Sequence, residues 1–77
     1  MTQVEWKNIF GDNLASLLQE QDMTQLEFAR ATGIGPATIS DYIKKRSMPG
    51  LAAVINIAYA MDMSIDELVD FGEPIEY

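Results

Sequence analysis

The sequence predicts an all-α fold of five short helices, and three observations carry the prediction. Apolar residues recur at spacings of three and four through most of the chain, the period of one helix face. Thr24-Gln25-Leu26-Glu27 and Ser64-Ile65-Asp66-Glu67 both fit the capping-box pattern that opens a helix. No strand-like alternation, internal repeat or low-complexity run interrupts them. The 77 residues, 48% of them apolar, suffice for one modest core. One domain over residues 1–70 with an acidic tail over 71–77 is therefore expected.

Trp6, Ile9, Phe10, Leu14, Leu17 and Leu18 form the apolar face of the first helix, which ends near Gln21 or Asp22. Glycine costs about 1 kcal/mol relative to alanine inside a helix, so Gly11 leaves a later start near Asp12 open. The second helix begins at Thr24, with Met23 and Phe28 placed as a hydrophobic staple. It lasts about two turns, because Gly33 supplies the left-handed residue that ends a helix after Thr32. Pro36 suits the first turn of a third helix, which runs on into Lys44-Lys45-Arg46 with Ile39, Tyr42 and Ile43 facing inward. Ser47-Met48-Pro49-Gly50 breaks the chain. Leu51, Val54, Ile55, Ala58, Tyr59 and Met61 then repeat as a fourth helix, and Ser64 opens a short fifth one through Val69.

Composition removes several function classes. With no cysteine and no histidine, the chain lacks thiolate metal ligands, the commonest zinc ligand and the commonest general base. Ser40 and Ser64 have no histidine to activate them, and Asp62, Asp66 and Glu67 lack the glycine and the alternation of a calcium loop. No enzyme activity, metal or small-molecule cofactor is expected. The start of the chain has no signal-peptide pattern, and no apolar run reaches the roughly 20 residues of a membrane span. A soluble cytoplasmic protein is the expectation.

The net charge of −7 opposes phosphate binding taken as a sum, but the charge is unevenly placed. Residues 23–46 carry four bases (Arg30, Lys44, Lys45, Arg46) against two acids, whereas residues 62–77 carry six acids and no base. The two regions should differ sharply in potential.

The stretch from Gln25 to Lys44 reads as helix, tight turn, helix. Two helices crossing steeply after such a turn need a small residue at the close approach, here Ala29, and one tolerant of positive φ, here Gly33. They also need apolar anchors, here Ile34 and Ile39. This stretch resembles the helix-turn-helix of the phage lambda-type repressor and Cro family, which is also found in bacterial transcriptional regulators and antitoxins. The likeness extends over roughly residues 10–69, through Met23-Thr24-Gln25, Thr38-Ile39-Ser40 and the stretch from Ala58 to Leu68.

The resemblance implies a transcriptional regulator, a phage or prophage repressor, that binds double-stranded DNA as a homodimer. It places Gln25 and the second-helix N-terminus on a phosphate, and Gly35, Pro36, Ala37, Thr38, Ser40, Asp41 and Lys44 in or beside the major groove. Lys44, Lys45 and Arg46 would meet the backbone, or else form a solvated helix end favoured by the helix dipole. The chain departs from the family pattern at Pro36 and Ala37, where glutamine, serine or arginine is common. Neither residue has a polar side-chain atom, so Thr38, Ser40, Asp41 and Lys44 remain as polar readers. With the −7 charge, these two residues also motivate an alternative: a protein-interaction or antitoxin-type module on the same fold. Phe71, Ile75 and Tyr77 in the tail suggest packing on the chain's own core or a self-complementary patch with the fifth helix.

Overall fold

The computed structural model describes residues 3–69, with side chains described from Glu5. Five helices follow in order, α1 (Gln3–Glu20), α2 (Gln25–Thr32), α3 (Pro36–Ile43), α4 (Leu51–Ala60) and α5 (Ile65–Leu68), with no strand among the described residues. The tail beyond Val69, and the packing expected of it, lie outside the described residues.

α1 runs unbroken through Gly11, so the start near Asp12 is not adopted. Tertiary packing overrides the propensity cost. A Cβ at Gly11 would lie 2.7 Å from the Tyr42 carbonyl oxygen and 3.0 Å from Lys45 Cγ, so glycine is what lets α1 lie against the end of α3. Phe10, on the adjoining turn, meets Tyr42 edge to face with ring centroids 5.7 Å apart, and Trp6 stacks on Phe10 at 5.4 Å. Burial pushes the Tyr42 phenol above its ordinary pKa.

Phe10, Leu14, Phe28, Ile39, Ile57 and Leu68 fill the centre of the core, so every helix contributes at least one fully enclosed side chain. α5 is tied to α1 by Asn13 Nδ2, which donates to the Leu68 carbonyl at 3.0 Å. In α4 the core face is Val54, Ile57 and Ala58, with Met61 packed at its edge. Leu51, Ile55 and Tyr59, which help mark the helix in the sequence, are exposed. Nearly every residue of α4 is apolar, so periodicity locates the helix without saying which face turns inward.

Three helices end on left-handed residues that are not glycine: Asp22, Lys45 and Asp62, with φ of 54°, 65° and 52°. Each is followed by the closing bond of a Schellman motif: Met23 N–H donates to Leu18 O, Arg46 N–H to Asp41 O and Met63 N–H to Ala58 O. α3 therefore stops at Ile43 rather than continuing through the basic triplet, and Lys44 is its cap.

Candidate nucleic-acid interface

The first turn of α2 is held by a reciprocal capping box. Thr24 N–H donates to Glu27 Oε1 at 2.9 Å, and Glu27 N–H donates to Thr24 Oγ1 at 3.1 Å. The bond from the Thr24 backbone, with that from its hydroxyl, holds the Glu27 carboxyl below the usual carboxylate range. Gln25 stands exposed at the first helical position. Any anion there shares the helix end with the Glu27 carboxylate, which already answers part of the dipole.

The turn between α2 and α3 is fastened by hydrogen bonds from both sides. Gly33, at φ 74°, donates its N–H to the Ala29 carbonyl at 2.8 Å. Thr32, buried, donates its hydroxyl to Phe28 O at 2.9 Å and accepts from Ile34 N–H at 3.3 Å. Asn56 reaches across from α4, its Nδ2 donating to the Thr32 carbonyl at 2.7 Å. Ala29 is buried and Ile39 wholly so, while Ile34 is half-buried against the core. The expected roles of Ala29, Gly33, Ile34 and Ile39 as fold-making residues hold.

α3 starts with Gly35 as its cap, without a side-chain bond, and Pro36 in its first turn. Gly35, Pro36, Ala37 and Thr38 are all exposed, as is Lys44, while Ser40 and Asp41 are half-buried. A shallow groove of about 200 Å³ runs where α2 meets the turn, lined by Leu26, Arg30, Ile34, Gly35 and Pro36 among others. It brings the exposed guanidinium-bearing Arg30 beside the start of α3. Sequence reading weighs Arg30 only as a charge, because the bend of the chain at Gly33 is what brings Gly35 and Pro36 beside it.

The basic triplet does not act as one unit. Lys45 turns back on α1, its Nζ 2.8 Å from Asp12 Oδ1. Its backbone is left-handed, with φ 65°. Arg46 lies at the 4.0 Å limit of pairing with Asp41 and is well exposed. Lys44 is exposed, with no ion pair among the described residues. Asp12 and Asn56 are the residues that the motif reading missed. Asn56 had a visible signal, a lone amide in an otherwise apolar helix. Asp12 had none.

Two helices seated by Phe28, Ala29 and Ile39 on either side of an αL glycine turn, the second with an exposed start, form a helix-turn-helix in geometry. The helix-turn-helix family HTH_3 matches residues 14–68, more than half of the chain. The chain belongs to this family. Gly11 and Asp12, which fix the end of α3 against α1, lie outside the matched stretch.

Two solved structures are similar. An HTH_3 family transcriptional regulator from Vibrio cholerae superposes with a TM-score of 0.84 at 22% identity, over 87% of this chain. The chain spans 38% of that regulator's length. The SOS-response transcriptional repressor LexA from Eubacterium rectale has a TM-score of 0.81 at 28% identity, covering 100% of this chain and 83% of that one. No curated protein matches in sequence. No helix among the described residues is long and apolar enough to cross a membrane.

Proposed function

We propose that this HTH_3 chain binds double-stranded DNA as a transcriptional regulator, a repressor of phage or prophage type, acting as a homodimer. One observation carries the reading: the start of α3 is exposed on a turn fastened from α2 and α4, so this edge is free to meet a groove. In this reading Gln25 and the α2 N-terminus meet a phosphate. Thr38, Ser40 and Asp41 read base edges, and Gly35, Pro36 and Ala37 permit close approach and apolar contact with thymine methyls. Lys44 and Arg46 meet the backbone directly. Lys45 contributes its charge from the position in which Asp12 holds it.

Fluorescence-anisotropy titration of the 77-residue chain on random duplex at several salt concentrations tests this. Affinity should fall as log Kd rises linearly with log salt, by about 0.9 per phosphate neutralised. A salt-independent or absent response would leave the fold without this function and favour a protein-interaction module. Selection from a randomised duplex pool should then return a two-fold-symmetric site.

A further inference from the structure

The feature that DNA binding does not use is a stripe along α4. Leu51, Ile55 and Tyr59 stand four residues apart on the face away from the core, 72%, 47% and 88% exposed. Exposed aliphatic and aromatic side chains on one helix face lie ready for a partner. From Gly50 to Met61 there is no charged residue at all, although the chain as a whole carries −7. Charge is instead found at the two ends of this helix. Lys44 and Arg46 precede its start, and Asp62, Asp66 and Glu67 follow its end.

We infer that this stripe is where a second copy of the chain docks, with the two α4 helices antiparallel about a two-fold axis at Ile55. Leu51 of each copy then packs beside Tyr59 of the other, and Ile55 meets its own counterpart. A two-fold sets the end of one helix, which Asp62 follows, against the start of the other, which the basic residues precede. This is the arrangement in which two acidic molecules can meet without burying a charge or opposing like charges. A parallel pair would set acids against acids.

Tyrosine presents on the order of 150–250 Å². With the exposures above, the three side chains offer about 400 Å² per copy, half of the roughly 800 Å² per partner of a stable interface. The contact is therefore weak in free solution and tells when both copies sit on one duplex, where effective concentrations reach about the millimolar range. The use made of the pairing rests on the DNA-binding reading, but the pairing itself is tested without DNA.

The absence of cysteine makes that test clean. Ile55→Cys, Leu51→Cys, Tyr59→Cys and, as a remote exposed control on α1, Gln19→Cys are oxidised mildly in the full chain. Ile55→Cys should form covalent dimers at least tenfold faster than the control. A mixture of Leu51→Cys and Tyr59→Cys should give mixed dimers in excess of either homodimer. An Ile55→Cys rate equal to the control would overturn the proposal, and so would cross-linking that appears only after residues 70–77 are removed, since that makes the chain's own tail the occupant. Leu51→Cys homodimers in excess would overturn the antiparallel pairing. On DNA, Tyr59→Glu should weaken binding to a duplex with two half-sites about tenfold or more while leaving a single half-site unchanged. Equal loss on both duplexes would count against it.

Discussion

Replacing Gly11 by alanine sets two effects against each other. In an exposed helix interior the change would stabilise by about 0.8–1.0 kcal/mol through propensity. Here the new methyl would meet the Tyr42 carbonyl oxygen at 2.7 Å, and that oxygen is backbone in the last turn of α3, with no rotamer to escape by. Ordinary contact begins near 3.4 Å, so α1 and α3 must part by about 0.7 Å, loosening the Phe10–Tyr42 edge contact and the Lys45 stem as they do. Forced overpacking of this kind costs about 1–3 kcal/mol. The packing term wins, for a net loss of about 1 kcal/mol and a Tm lower by about 4–8 °C for a domain of this size. Thermal unfolding followed by circular dichroism measures it, with Ser16→Ala on the exposed face of α1 as the propensity control. A Gly11→Ala protein as stable as the parent, or more so, would refute the close approach of α1 and α3.

Three further outcomes follow from the same geometry. Lys44→Ala should weaken binding to every duplex alike and flatten the salt slope by about 0.9 with no change in Tm, whereas Lys45→Ala should cost about 0.2–1 kcal/mol of stability, its pair with Asp12 being partly exposed; equal salt slopes for the two variants would show that the pair does not set Lys45 apart. Glu27, with its folded pKa lowered by the capping box, stabilises above the ordinary carboxylate pKa of about 4.3 and loses that contribution as pH falls through its own lower value. The gap in urea midpoint between the parent and Glu27→Gln should therefore narrow from pH 6 down to pH 2, and a constant gap would argue against the cap. Asn56→Ala removes the bond to the Thr32 carbonyl and should cost about 1 kcal/mol, read by urea denaturation, with a matching increase in amide exchange at the α2–α3 turn.

Local signals in the sequence carried the elements, and contacts between distant residues decided what the elements do. Thr24, Gly33 and Pro36 act within a turn of themselves, so their cap, left-handed end and helix start were legible in a few residues. Asp22, Lys45 and Asp62 are left-handed too, yet no glycine announces them; packing of the following Met23 and Met63 against the core accompanies two of these reversals. The same limit hid the brace on Lys45, because Asp12 is on another helix. The exposed candidates from Gly35 to Thr38 followed from the motif. The face of α4 did not, since an apolar helix contains no polar side to orient it.

Asp41 is the residue on which charge and specificity meet. Its side chain is about half exposed and lies 4.0 Å from Arg46, a pair worth about 0–1 kcal/mol in such solvent contact. Little stability therefore depends on its charge, and Asp41→Asn should leave Tm within the change of about 0.5 kcal/mol typical of surface substitutions. On DNA the balance differs. A carboxylate brought among phosphates by α3 is repelled at every site, and its only compensation is a cytosine amine at one base pair. The amide keeps the shape and removes the repulsion, so affinity for random duplex should rise about two- to fivefold, a gain of about 0.4–1 kcal/mol on the scale of a like-charge contact in water, while preference at one base pair relaxes. Releasing Arg46 would raise affinity as well. The two causes separate in the Arg46→Ala background, where a gain from lost repulsion persists and a gain from freed Arg46 vanishes. If Asp41→Asn binds random duplex no more tightly than the parent and selects the same site, Asp41 does not enter the groove, and the reading edge of α3 ends at Ser40.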